Sequence, residues 1–263
     1  MANYNEYNNG QRYDRYEQYG QPAAYEEVYD EAPYVVEQHT LEAFNVLMRK
    51  VYLWMALALG VTGLTAYGVA NSPSLISMIY SSQMVFWVIA IAEIGLVIGL
   101  SAAINKLSFS TAAIMFVVYS VLNGVMLSSI FLVYSQGSIA KTFFITAGAF
   151  VGLALIGYTT KRDLSGVGKF LIFALIGLII ASVVNMFTKS TGFDFIISII
   201  GVLIFAGLTA YDTQKIKQMF MQVGTEVNDQ TQKLAVLGAL TVYLDFVNLF
   251  LYLLRFLGRS RDI

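Results

Sequence analysis

The chain has no cysteine, one histidine, three prolines and few charges, with only 13% of its 263 residues being Asp, Glu, Lys or Arg. Each scarcity removes a class of chemistry. Without cysteine there are no disulfides, no thiolate metal sites and no thiol nucleophile. With His39 the sole imidazole and placed in the polar first 40 residues, no Ser-His-Asp arrangement, histidine zinc spacing or Gly-rich phosphate loop is recognisable. The formal net charge of -1 gives no case for nucleic-acid binding. Met1 to Thr40 is polar throughout and lacks the apolar stretch of a secretory signal, so the spans themselves are expected to direct insertion. The chain is expected not to be an enzyme and to need no cofactor.

What it has in excess is apolar side chain, 57% of residues, the balance of a membrane protein. The first 40 residues stand apart: eight tyrosines (Tyr4, Tyr7, Tyr13, Tyr16, Tyr19, Tyr25, Tyr29 and Tyr34) lie among Asn, Gln and Glu. No apolar period there can build a core, so 1–40 reads as a disordered cytoplasmic tail. Leu41 to Lys50, with Leu41, Phe44, Val46 and Leu47 beside Arg49 and Lys50, suits a short interfacial helix leading into the bilayer.

From Val51 onward, uncharged apolar runs recur near the roughly 20 residues that cross the hydrocarbon as a helix. Seven spans are expected: Val51 to Ala70, Met84 to Ile104, Thr111 to Tyr134, Thr142 to Thr160, Phe170 to Phe187, Phe195 to Asp212 and Val236 to Leu257. Turn chemistry separates them at Asn71-Ser72-Pro73-Ser74, Asn105-Lys106, Ser135-Gln136-Gly137-Ser138 and Lys161-Arg162-Asp163. With the N-terminus inside, the cytoplasmic side collects Arg49, Lys50, Lys106, Lys161, Arg162, Lys169, Lys215, Lys217 and Lys233. The opposite loops hold Lys141 and Lys189, so basic residues orient the chain that way. Arg255, Arg259 and Arg261 then fall outside, which leaves a re-entrant seventh segment as an alternative to a full crossing.

Ionisable residues inside spans are costly and therefore face a bundle interior or a watery cavity. Three stand out: Glu93 near the middle of the second span, Asp212 at the end of the sixth, and Asp245 within the seventh. On the seventh, Asp245, Asn248, Tyr252 and Arg255 fall at i, i+3, i+7 and i+10 and share one face. That polar stripe is expected to point inward, either along an ion pathway that includes Glu93, Asn248 and Tyr252 or as a hydrogen-bond network gluing helices together.

The strings Tyr158-Thr159-Thr160-Lys161-Arg162-Asp163-Leu164-Ser165, Ala210-Tyr211-Asp212-Thr213-Gln214, Tyr243-Leu244-Asp245-Phe246-Val247-Asn248-Leu249-Phe250 and Leu254-Arg255-Phe256-Leu257-Gly258 resemble the Bax inhibitor-1 family of seven-span membrane proteins. The resemblance covers the chain from about Leu41 onward. It implies an all-α fold in which six helices surround a central seventh, and a pH-dependent calcium leak. It also implies a proton-sensing pair matching Asp212 and Asp245, and a second-span glutamate matching Glu93. The family's arginine latch has only Asn105 and Lys106 in its place, and Lys106 would act as a point charge without a bidentate fork. The host membrane is expected to be the bacterial plasma membrane.

The carboxylate chemistry can be argued independently. Two carboxyls brought together in a low-dielectric site cannot both ionise cheaply, so a proton is shared and pH chooses between a hydrogen-bonded closed state and a repelling open one. Calcium favours such hard oxygens and competes with protons for them, so Asp212, Asp245 and Glu93 are candidate transient ligands. Three rivals remain. An intramembrane aspartyl protease would need Gly-x-Gly-Asp, whereas Asp245 follows Val242-Tyr243-Leu244; a retinal receptor would need a lysine in the last span. A non-conducting regulator that binds a membrane protease or cell-death factor is the alternative function, since fold alone does not fix activity.

Overall fold

The computed structural model describes residues 33–223 and 227–259, with side chains from Phe44 onward. Over these residues the chain forms α1 (Pro33–Ala70), α2 (Pro73–Tyr80), α3 (Gln83–Ala103), α4 (Phe109–Leu127), α5 (Ile130–Val133), α6 (Gln136–Thr159), α7 (Ser165–Thr188), α8 (Thr191–Val223) and α9 (Asp229–Leu257). The described residues from Thr40 onward form one unit, which holds the bundle. Seven of the helical stretches are long and apolar enough to cross a membrane, α4 and α5 counting as one, Phe109–Val133. A helix is what a bilayer permits, since it satisfies its own backbone polar groups. Leu64, Met84, Phe173 and Phe187 are each about three-quarters exposed, as lipid-facing side chains are.

Several expected boundaries need correction. Leu41 to Lys50 is no separate interfacial helix but part of α1, because Phe44, Leu47, Met48, Val51, Met55 and Ala58 continue a single buried stripe and nothing breaks it. Helix α1 already begins at Pro33, so 33–40 is helical rather than tail; residues 1–32 lie outside the described residues. The first break contains α2, in which Pro73 stands at the N-terminus, where its missing N–H costs nothing. Helix α8 does not stop at Asp212; it runs on to Val223, since Ile216 and Phe220 keep the buried face going. Helix α9 likewise starts seven residues before Val236, at Asp229, with Asn228 and Thr231 capping each other's backbone N–H.

The third span breaks between α4 and α5. There Ser128 and Ser129 donate their hydroxyls to the Val125 and Met126 carbonyls at 2.6 and 3.0 Å, and Tyr80 donates to Met126 at 3.0 Å. Acceptors that the next helical turn would use are thereby diverted.

Helix α9 is the central one. Of its most apolar stretch 67% is buried, against 39% for α8 and 6% for α3. It packs on α4, α6 and α8, with Phe246 edge-on to Phe143 and Phe150 of α6 and Tyr243 edge-on to Phe116 and Tyr119 of α4. A second apolar cluster joins Leu178 of α7 and Ile204, Phe205 and Leu208 of α8 to Leu249 of α9. At 29 residues α9 is one continuous helix about 43 Å long, long and apolar enough for a full crossing. Its far end is clasped at the start of α6, where Ser135 N–H donates to the Arg259 carbonyl and Arg259 N–H to Ser138 Oγ.

Close approach of α6 to α8 depends on Gly157, where a Cβ would collide with the Ala210 backbone carbonyl, whereas a Cβ at Gly152 would meet nothing. Gly157→Ala should therefore destabilise the bundle by about 1–3 kcal/mol, the usual overpacking cost, and Gly152→Ala should not. Thermal unfolding in detergent measures both; equal melting temperatures would refute the tight α6–α8 contact.

Candidate functional site

Helices α8 and α9 run antiparallel and meet at glycines on both sides of their acids. Gly238 of α9 receives Ile216, and Gly201 of α8 lies against the Tyr252 ring. Between these contacts the Asp212 and Asp245 carboxyls are neighbours, each within the other's electrostatic reach. Asp245 is 4% exposed. Its Oδ2 is buried and has no donor among the described residues, the arrangement of a carboxyl whose neighbour is another carboxyl. Asp212 is only half-buried and borders a cavity of about 230 Å³ lined by Ser101 of α3, Lys215, Ile216 and Met219 of α8, and Leu237, Gly238 and Thr241 of α9. Of the pair, one acid therefore opens onto the cavity and the other is sealed behind it. Lys215 is the cation whose field reaches Asp212.

Glu93 sits elsewhere. It lies at the middle of α3, within electrostatic reach of Tyr119 on α4 and Tyr243 on α9. Its Oε1 is buried without a hydrogen-bond partner among the described residues. No group of three or more His, Asp or Glu side chains able to hold a metal occurs among those residues, so Glu93, Asp212 and Asp245 do not form one ligand set. Two carboxyls in register, with a third acid separate, could pass a hard cation but offer too few oxygens to cage one.

The remaining stripe residues lie along the side of α9 that meets α8. Tyr252 stacks on Phe205 with ring centroids 5.7 Å apart. Arg255 lies 5.6 Å over the Tyr252 ring and 3.9 Å from the Asp194 carboxylate. Asn248 donates its amide to the Leu244 carbonyl of its own helix. Below the acid pair this face is closed by packing. Lys106 is exposed in the α3–α4 turn, lines neither the cavity nor, among the described residues, any ion pair; the structure does not bring it to the aspartates.

Two polar groupings escaped sequence reasoning. Gln214, 6% exposed and two residues beyond Asp212, grips the α6–α7 loop from both sides: its amide donates to the Arg162 carbonyl and its oxygen accepts from Leu164 N–H, each at 2.8 Å. Lys217 adds a 2.9 Å bond to the Tyr158 carbonyl and lies over that ring, while Tyr158 donates to Asn45 of α1. In the loop itself Asp163 accepts from Ser165 N–H at 2.9 Å, and the Ser165 hydrogen bonds hold its carboxyl below the usual range, so it stays ionised at neutral and mildly acid pH. The second grouping centres on Tyr243. Its hydroxyl lies 2.6 Å from Thr62 Oγ1 of α1 and donates to Asn123 of α4 at 3.1 Å, and Thr62 also reaches the Ser120 carbonyl.

Residues 44–262 match a family described as "Inhibitor of apoptosis-promoting Bax1". The chain is 48% identical over 214 residues to the inner membrane protein YbhL of Escherichia coli strain K12, covering 81% of this chain and 92% of that protein. It is equally similar, 48% over 220 residues, to an uncharacterised protein of Borreliella burgdorferi, covering 83% and 94%. An uncharacterised membrane protein of Streptococcus pyogenes serotype M1 is 38% identical over 218 residues, covering 82% and 93%.

Removing the Gln214 grip with Gln214→Ala costs two hydrogen bonds, about 1 kcal/mol each. Tryptic cleavage after the exposed Lys161 and Arg162 should then accelerate about ten-fold or more in micelles. An unchanged cleavage rate would mean that the loop is held by something other than α8.

Proposed function

This chain belongs to the Bax inhibitor-1 family, and on that footing we propose that it is a pH-sensitive cation leak, with calcium as permeant ion, gated by the Asp212–Asp245 pair. It is a multi-pass integral membrane protein; the reading adds a bacterial plasma membrane with the basic end and N-terminus cytoplasmic. The single observation that carries the gate is the apposition of a sealed carboxyl, Asp245, with one that borders a cavity, Asp212. In a low-dielectric site two facing carboxyls hold one proton between them, because a second ionisation would place like charges in contact. With the proton in place the pair is a hydrogen bond joining α8 to α9. Loss of the proton turns that bond into repulsion, and the helices part at the cavity's inner wall.

Ion flux then rises as pH rises through the titration of the pair and is silenced as pH falls. Calcium meets carboxylate oxygens once the pair has opened, at Asp212 and Asp245 and separately at Glu93. No covalent step and no bound cofactor enter this account. Asp163 contributes nothing to the switch, since it is ionised on both sides of it.

The test is calcium flux into liposomes holding purified protein, from about pH 5 to 8, the window a protein-perturbed carboxylate pair samples. Asp212→Asn and Asp245→Asn should each abolish the pH dependence. In the first variant the new amide still donates to Asp245 and favours the closed state; in the second, Asp212 turns to Lys215 and the open state is favoured. If both variants kept the wild-type midpoint, the pair would not be the sensor. Glu93→Gln should lower flux several-fold while the midpoint stays where it is; undiminished flux would make Glu93 a structural carboxyl. Liposomes silent at every pH, with a specific co-purifying membrane protein, would replace the leak by a non-conducting regulator of that partner.

A further inference from the structure

At the end of the bundle that carries Arg49 and Lys50, one face of α1 is only partly covered by its neighbours. Lys50, Leu53, Trp54 and Leu57 follow one another at i, i+3, i+4 and i+7 and so share that face. They line a groove of about 180 Å³ whose other wall is Phe109 at the start of α4 with Gln232 and Ala235 at the start of α9. Leu53 and Leu57 are 58% and 51% exposed. Trp54 stands edge-on to Phe109, 6.1 Å between centroids, and forms the groove's side. The groove is polar only at its mouth. Lys50 has no ion-pair partner among the described residues, and Gln232 offers an amide beside it. The acid nearest along α9, Asp229, is already engaged by Lys233 at 3.4 Å and by Phe109 N–H at 3.4 Å.

We propose that this groove binds an anionic phospholipid, with the phosphodiester at Lys50 and Gln232 and one acyl chain along Leu53 and Leu57. Charge and polarity complementarity support this occupant. From the helix end inward the face changes from cation and amide to aromatic to aliphatic, the same order in which a phospholipid changes from phosphate to glycerol to hydrocarbon. A free phosphate matches the mouth and leaves the apolar wall bare. A zwitterionic phosphatidylcholine matches the wall but carries its own cation to Lys50, whereas phosphatidylglycerol brings a net negative charge that Lys50 neutralises. Trp54 at this level is where an amphipathic ring sits at a membrane interface. The site does not depend on the flux reading; it stands or falls on lipid preference alone.

The chain's two tryptophans make the test direct. Trp54 lines the groove, while Trp87 lies at the opposite end near the start of α3 and is 54% exposed. Single-tryptophan versions, Trp87→Phe and Trp54→Phe, are reconstituted in vesicles in which either phosphatidylglycerol or phosphatidylcholine carries brominated acyl chains that quench tryptophan on contact. Trp54 should show an apparent preference of about five-fold for phosphatidylglycerol, the factor that one lysine supplies at an anionic headgroup, and Trp87 should show none. Lys50→Gln in the Trp87→Phe background should bring the Trp54 preference to unity. Lys50→Arg, which keeps the cation, should retain it and guards against a folding artefact. Inorganic phosphate at millimolar concentration should not displace the lipid. Equal quenching of Trp54 by both lipids, or the same preference at Trp87, would overturn the site. Displacement by phosphate would overturn the lipid in favour of a soluble phosphate-bearing ligand.

Discussion

In hydrocarbon a buried carboxyl needs a partner supplied by the protein itself, and for Asp245 that partner is Asp212. Much else is arranged around this pairing. To bring the two acids level, α8 and α9 must run antiparallel in one register and approach closely, and Gly201 and Gly238 make room on either side of the contact. Helix α9 then turns its polar face to α8, and its remaining faces, rich in Phe246, Phe250 and Tyr243, are covered by α4 and α6. That is why the last helix becomes the centre of the bundle. Helix α7 takes the outer side of α8 through Leu178 and its neighbours, and is one of the more lipid-exposed spans.

The ties on α8 decide which parts can move together. Gly157 locks α6 against Ala210, Gln214 holds the loop that leaves α6, and Lys217 holds the last carbonyls of α6 at Tyr158. Helices α6 and α8 and the loop into α7 are therefore bound to one another just beside Asp212. Tyr243 binds α9 to α1 and α4 through Thr62 and Asn123. The α8–α9 boundary runs between these two tied groups, with the carboxyl pair and the adjoining cavity on it. On the proposed reading, the proton acts at a helix interface for which the described residues show no hydrogen bond between neutral side chains.

The existence and number of the spans were legible because uncharged apolar runs of the right length leave a bilayer little choice. Their ends were not. Helices α1, α8 and α9 extend past the apolar runs because Leu47, Phe220 and Leu234 still bury a stripe, while the exposed Arg49 and Lys215 lie on other faces and Lys217 and Lys233 are held by Tyr158 and Asp229. A charge therefore marks the end of the hydrocarbon and not the end of the helix. The two acids and their face on α9 could be read from the 3.6-residue period; their juxtaposition came from the family resemblance together with antiparallel pairing. Gln214 could not be read, since its partners are backbone atoms of a loop some 50 residues away, and backbone acceptors leave no trace in a pattern of side chains. Lys106 was singled out by position in the sequence, but the turn that carries it projects it outward.

The separation of Glu93 from the aspartate pair bears on what kind of calcium site this protein can offer. A cluster of three carboxylates would hold the ion with most of its ligands at once, and a tightly held ion blocks a path instead of crossing it. Here the acids fall into two surroundings: a pair beside a cavity with Lys215 nearby, and a lone glutamate within electrostatic reach of Tyr119 and Tyr243. Each offers only part of the six to eight oxygens that calcium takes, so an ion at either would keep much of its water. Lys215 further weakens binding at the first. On the proposed reading, weak, successive, partly hydrated sites suit a slow leak, because an ion held so loosely would not outcompete the proton proposed to close the pair.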